Sequence, residues 1–457
     1  MPEPAVGADT TRILPVLFAF ALLVPTPLTG LQIANGTEAS RDTGSLHAAL
    51  TRLTSDGKFS GAVVVHDADA VRFSAGYGLA DPFSKRRFTP ETPVDSASLA
   101  KPVTAAAVLL LAKEDKLDLD QQVRAYLPRY PHEPATVRHL LAHSAGLPPE
   151  ENLEPLANKT NEMIMNEIAD RQLPSVFPAG SGFNYCNFCY TTLALLIERV
   201  SGTSYLSLVR ERVALPTGVT IRPLRLADWS ARAIGYRRTV EGRIERADSY
   251  ESEAFYGTAN FSISASQLAQ WGAQWWQPPL ASIRPQAISA ARIAGQPSGL
   301  SWGNWYCASQ GERCHYLGHH EGFHHMLYWD ADRRVSVAMV SNNSLAPSLQ
   351  QRLQRALVAF AESRTTAGLH ELRSELPDNP VQPGDYLLPG GETVVVANAD
   401  NVVSVEREGI RYRAYRIGVG IRYVPGLDTY LAGAADGRLH WLNLYEDMLG
   451  EPKRSVR

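Results

Sequence analysis

Two constellations in this chain have the residue types and spacing for nucleophilic catalysis. Ser98-Leu99-Ala100-Lys101 sets a hydroxyl and an amine three residues apart. On a helix such residues share a face, so the amine reaches the hydroxyl. A lysine buried or crowded there loses its proton near neutral pH and can act as a base. The helix N-terminus adds positive potential where an oxyanion would form. Tyr185-Cys186-Asn187 sets a phenol and an amide two residues apart. On an extended turn both point into one cleft. The phenol can relay a proton, and the amide can hold a substrate amide and the lysine amine. The blander readings are a helix N-cap beside a surface lysine for Ser98, and a packing aromatic for Tyr185. A second S-x-x-K, Ser55-Asp56-Gly57-Lys58, ends in an Asp-Gly turn, so its serine is expected on a loop.

A rival reading comes from His320-Glu321-Gly322-Phe323-His324, which spells H-E-x-x-H. Two histidines one helical turn apart would bind zinc, making the chain a zinc hydrolase. That chemistry needs a helix, whereas Gly322 interrupts the string and a strand-turn-strand pattern follows it. On one strand His320 and His324 would lie about 13 Å apart, at about 3.3 Å per residue. No metal and no cofactor are expected. Cys186 and Cys189 form a C-x-x-C, redox-active or half of a zinc site; neither is favoured, for no second pair and no thioredoxin-like pattern accompanies it. Cys307 and Cys314 flank a hairpin loop and suit a cross-strand disulfide.

The elements that must position these groups alternate along the chain. A helix is expected over 44–54, then two strands within 61–78. Residues 98–117 read as a helix with Pro102 in its first turn, where proline is tolerated. Further helices are expected over 136–146, 190–202 and 262–276, the first two closed by glycine. From 297 short strands take over, and a helix of about 18 residues follows from Ser348. The pattern predicts an α+β fold: an antiparallel sheet built from both ends of the sequence, flanked by helices, plus a mostly helical subdomain. After a Pro-rich linker at 376–385, residues 384–457 alternate apolar and polar positions between turn signals. They read as a small all-β, barrel-like domain, expected to be separable from the chemistry.

Bulk properties narrow the function. Across 457 residues the formal net charge is −3 and no long Lys/Arg run occurs, so nucleic acid is not an expected partner. Arg12 precedes a dozen apolar residues, 13–24, and residues 1–36 read as a signal peptide or N-terminal anchor. The run is short for a membrane span, which takes about 20 residues. An exported protein is therefore expected, periplasmic or secreted, with membrane association through that segment alone.

The order S-x-x-K, then Y-x-N, then a Gly-bearing strand, together with the blocks at 117–128, 136–148 and 183–205, resembles the β-lactamase-related serine hydrolases. That family includes class C β-lactamases, D-alanyl-D-alanine carboxypeptidases and family VIII esterases. The resemblance covers about residues 44–363, and implies a serine hydrolase domain over 44–365. It implies Ser98 as nucleophile, Lys101 as its base partner, Tyr185 as activator of water or proton donor to the leaving group, and Asn187 as a substrate-orienting residue. The family's third motif, Lys-Thr-Gly, falls on Tyr316-Leu317-Gly318 or on His320-Glu321-Gly322. In the first register the backbone N–H of His319, with that of Ser98, would form the oxyanion hole. Neither register has a Lys or Arg at its first position, which points to small neutral esters or amides rather than β-lactams or cell-wall peptides. Cys186 and Cys189 depart from the residues usual in these blocks.

Overall fold

A computed structural model describes residues 37–453 apart from short stretches, the longest being 225–230, 249–254 and 373–378. The expected signal segment, 1–36, lies outside the described residues.

The central sheet has six strands in the order Tyr306–Cys307, Arg313–His320, Phe323–Asp330, Val335–Ser341, Gly61–Asp67 and Ala70–Tyr77. Every neighbouring pair is antiparallel. The run Gly61-Ala62-Val63-Val64-Val65 is apolar at both alternations because both faces of the sheet are covered. Val63 and Val65 join one core with Leu46, Leu50, Leu353 and Leu357 from the helices Thr37–Ser55 and Pro347–Ser363. Ala62 and Val64 join the other, with Leu268 of the helix Ala265–Ala273 and a stacked group of Trp271, Trp275, Trp305 and Trp329. The first helix starts seven residues before the expected 44.

Between the two sheet segments lies the helical subdomain, with Ala100–Lys113, Val137–Leu141, Asn161–Asp170 and Asn187–Ser201 as its principal helices. The first is buried on every side from Ala100 to Leu111. Its AKPVTAAAVLLLA sequence has no polar stripe, so the other helices must enclose it.

Residues 384–452 form a closed barrel of eight strands in simple up-and-down order. The first strand, Gly384–Leu387, pairs with the last, Asp447–Pro452, and removes both edges. Eight strands leave an interior that side chains fill, here Val394, Val396, Val405, Leu431, Leu439 and Trp441. Thr429-Tyr430-Leu431-Ala432-Gly433 is buried at all five positions. Leu431 faces the barrel core, whereas Tyr430 and Ala432 belong to a cluster on the opposite face.

The structure corrects the geometry assumed for the H-E-x-x-H string. His320 and His324 share neither a helix nor one strand: His320 pairs with Phe323 across a tight turn in which Gly322 has φ +76°. His324 therefore lies opposite His319, with ring centroids 5.1 Å apart, while His320 turns to Asp95 at 3.3 Å.

Candidate active site

Ser98 sits in the 3-10 turn Ala97–Leu99, which runs directly into the helix Ala100–Lys113. Ala97 has φ +45°, a left-handed conformation that costs a non-glycine residue about 1–2 kcal/mol. Asp95 holds it there: its Oδ1 accepts the Ala97 N–H at 2.9 Å. Burial pushes the Asp95 carboxyl up, but the hydrogen bond and charge of His320 and the Ala97 N–H outweigh it and keep the group below its usual range.

Lys101, one turn into the helix, is fully buried. Its Nζ donates to Ser98 Oγ at 3.1 Å and to the Thr258 carbonyl at 3.4 Å. Burial lowers its pKa against the opposing influence of Tyr185 and Glu150, which favours the neutral amine that a base requires.

Tyr185 precedes the helix Asn187–Ser201 and donates its hydroxyl to Ser98 Oγ at 2.8 Å. Lys101 Nζ lies 4.7 Å from the centre of its ring. On that ring stacks His143, at 4.9 Å and 17°. Its Nδ1 accepts the Cys186 N–H at 3.0 Å, so the ring proton is on Nε2, which donates to Asn304 Oδ1 at 3.0 Å. Burial, aided by the Lys101 charge, pushes His143 down to about 3, and it stays neutral. The sequence alone gives His143 no role. A histidine beside a fold-determining turn carries no local mark of which ring it will stack on.

Cys186 caps the helix, and its disulfide to Cys189 ties the Tyr185-x-Asn187 turn to the first helical turn. The C-x-x-C is a disulfide here, and Cys307–Cys314 is a second, across paired strands. Asn187 faces the same cleft as Tyr185. Its Oδ1 accepts Thr258 Oγ1–H at 2.7 Å and its Nδ2 donates to Glu150. The expected contact from Asn187 to the lysine amine is replaced: Lys101 reaches the carbonyl of Thr258 instead. Thr258 and Glu150 were not singled out in the sequence, since neither lies in a recognisable spacing with Ser98.

The strand Arg313–His320 closes the site from the sheet side. A Cβ at Gly318 would come within 3.0 Å of the Ser96 carbonyl, so glycine lets the strand lie against the Ser98 turn. Tyr316 is buried, with its hydroxyl 3.4 Å from that of Tyr185 and its ring stacked on Tyr306. Burial raises its phenol well above the ordinary range. His319 Nε2 accepts from Gln350 Nε2 at 2.6 Å, and Gln350 Oε1 accepts from His324 Nδ1 at 3.0 Å. Burial lowers both imidazoles. Of the two registers for the third motif, Tyr316-Leu317-Gly318 is the one that borders Ser98. His320 is held instead by Asp95, a residue on the approach to the Ser98 turn.

A cavity of about 460 Å³ opens at Ser98 and takes in Tyr185, Asn187, Tyr316 and His319. Tyr423, Pro425 and Tyr430 of the barrel line it too. The barrel, expected to be separable from the chemistry, thus borders the cavity that holds Ser98. The barrel is joined to this wall by His315 Nε2 and Asp428 Oδ2, 2.5 Å apart, and by Tyr306 Oη donating to the Pro425 carbonyl.

The sheet, the buried helix and the Ser-Lys-Tyr cluster define a β-lactamase/transpeptidase-like fold with a C-terminal all-β barrel. The Beta-lactamase family model matches residues 46–360. The chain belongs to that family, whose members are serine hydrolases. It is 24% identical to penicillin-binding protein 4* of Bacillus subtilis over 325 residues, 65% of this chain and 71% of the relative. It is 21% identical to protein flp of Staphylococcus aureus over 316 residues, 65% of this chain but only 63% of that protein, less than two thirds of its length. The octameric penicillin-binding protein homologue from Pyrococcus abyssi shares the fold, with TM-score 0.60 and 19% identity over 90% of this chain and all of that one.

Proposed function

We propose that this chain is a serine hydrolase that forms an acyl-enzyme on Ser98 and acts on neutral esters or amides in preference to β-lactams and D-Ala-D-Ala peptides. The observation that carries the reading is the convergence of Lys101 Nζ and Tyr185 Oη on Ser98 Oγ, at 3.1 and 2.8 Å. In acylation Ser98 Oγ bonds to the substrate carbonyl carbon as its proton passes to the neutral amine of Lys101. Tyr185 hands a proton to the leaving oxygen or nitrogen as its bond to carbon breaks. Water then attacks the acyl-enzyme by the reverse route, and Oγ leaves with a proton. The oxyanion lies between the backbone N–H groups of Ser98 and His319.

The substrate preference rests on charge. Among the described residues no Lys or Arg lines the cavity at Ser98, Arg413 bordering only its neighbour, and Tyr316 stands where the family's lysine would attract a carboxylate. Arg313 pairs with Glu362 at 3.5 Å and borders a separate cavity. A buried charge-assisted hydrogen bond is worth roughly 1.5–3 kcal/mol, so its absence weakens carboxylate recognition by about one to two decades. Export is part of the same proposal: the apolar run 13–24 and four cysteines paired in two disulfides fit an oxidising compartment.

The test is intact-protein mass spectrometry with a fluorophosphonate, followed by kinetics on p-nitrophenyl esters and nitrocefin. One adduct on the peptide holding Ser98, lost in Ser98→Ala and indifferent to EDTA, is expected. Ser98→Ala should cost several orders of magnitude in rate. An adduct elsewhere, or inactivation by EDTA, would falsify the mechanism. Efficient nitrocefin turnover with a low KM would overturn the substrate preference.

A further inference from the structure

The cavity at Ser98 has one wall that the catalytic domain does not supply. Tyr423 and Tyr430 of the barrel face it with ring centroids 5.0 Å apart, and Tyr423 meets His319 at 5.9 Å. These rings are fixed from behind. Tyr423 Oη donates to Asp428 Oδ1 at 2.8 Å, and Asp428 Oδ2 meets His315 Nε2 across the domain boundary. Tyr306 and Tyr316, stacked at 5.6 Å and 12°, line the same space. With Tyr185, five tyrosines therefore line the space beside the nucleophile, and among the described residues no Asp, Glu, Lys or Arg does. Burial also holds His319 and His324 below their ordinary pKa range, so neither adds a charge near neutral pH.

A second cavity, of about 310 Å³, shares part of its lining with the first. Tyr185 and Asn187 border both spaces, but Ser98 borders only the first. The second holds Glu150, Arg413 and Tyr415. The group that stays bonded to Ser98 belongs in the cavity that Ser98 lines. The leaving group, which takes its proton from Tyr185, departs past the polar one.

We propose that the barrel selects the acyl group: Tyr423 and Tyr430 are specificity-determining residues that favour bulky, uncharged, ring-bearing acyl groups over small ones, and Asp428 positions them. This rests on the reading of Ser98 as the acylated residue. It also replaces the expectation of small substrates, since a space of this size accommodates more than an acetyl group.

The test keeps the leaving group constant and varies the acyl group. In the full-length protein kcat/KM is measured for p-nitrophenyl acetate and p-nitrophenyl 3-phenylpropionate, alongside fluorophosphonate labelling of Ser98. Tyr430→Ala and Tyr423→Leu should each reduce the phenylpropionyl-to-acetyl selectivity about tenfold, through lost ring contact and burial. Tyr430→Phe keeps the ring and should keep the selectivity, which guards against a variant that merely misfolds. Equal losses on both esters in the Ala and Leu variants, or a Tyr430→Phe protein as unselective as Tyr430→Ala, overturn the proposal. Labelling of Ser98 with unchanged selectivity removes this proposal alone. No labelling of Ser98 in the wild type removes the underlying mechanism and this proposal with it.

Discussion

The two walls of the cavity differ in how they are built. The catalytic wall is short-range and polar: Ser98, Lys101 and Tyr185 are tied by hydrogen bonds of 2.8 and 3.1 Å, and His143 stacks beneath. The barrel wall is aromatic and held by the buried His315–Asp428 pair, 113 residues apart in sequence, and by Tyr306 donating to the Pro425 carbonyl. The first wall can move protons; the second can only offer shape. Damage to the first should lower every substrate's rate alike, whereas damage to the second should change the ranking of substrates.

That contrast can be broken at several points. Lys101→Ala and Tyr185→Phe should each lower kcat by about two to four decades on any ester, as expected for loss of general acid–base catalysis. The double variant should lose little more than the worse single one, because the two share one proton path. Fully additive losses would show that one of them is structural. The pH profile sharpens the same point. Burial lowers Lys101, and its neutral form is the base, so kcat/KM should fall as pH drops through that lowered value and level off above it. A limb at the ordinary lysine value of about 10.4 would remove Lys101 from the role.

His143 is predicted to act by position. His143→Ala should lower kcat by about tenfold with KM nearly unchanged, since it supports Tyr185 through its ring and the Cys186 N–H. Its pKa near 3 also makes a stability prediction. The unfolded chain takes up that proton below about 6.5 and the folded one does not, so stability falls as pH falls from there towards 3. The slope is at most about 1.4 kcal/mol per pH unit for this group. Denaturant melts of His143→Gln should show a correspondingly shallower pH dependence. A slope identical to wild type would mean that His143 does not stay neutral in the fold.

The smallest effect is expected at the other S-x-x-K. Ser55 ends the helix Thr37–Ser55, and its hydroxyl donates to the Thr51 carbonyl at 3.0 Å. Gly57 then turns the chain away at φ +69°. Ser55→Ala should leave kcat/KM within about twofold of wild type, as for most exposed substitutions.

How much of this was legible follows from range. Ser98 and Lys101 lie on one helical face, and Tyr185 and Asn187 on one turn, so spacing alone proposed them. A sheet assembled from both ends of the chain and the barrel were also readable, from alternation and turn residues. Tyr423 and Tyr430 were not, because their partners belong to the other domain. One signal was present: the strand Thr429–Gly433 is apolar or small on both alternations, which an isolated small barrel has no reason to be. The hairpin at Gly322 was missed for a simpler reason. Gly322 was read as a helix breaker, when it is the turn itself.

The sheet beneath the site has a consequence for synthesis. Gly61–Asp67 pairs with Val335–Ser341, and the Ser60 N–H waits for Asn343 Oδ1, 283 residues downstream. At roughly 5–20 residues per second, a ribosome takes on the order of 15–60 s to supply that partner. Until then the apolar edge of Gly61–Asp67 has no native neighbour on that side, and the nucleophile helix has no complete sheet to rest on. Such long-range pairing slows folding and leaves a sticky edge exposed. Chaperone demand in expression should therefore track the arrival of Val335–Ser341 at the ribosome exit, well after Ser98 itself has been made.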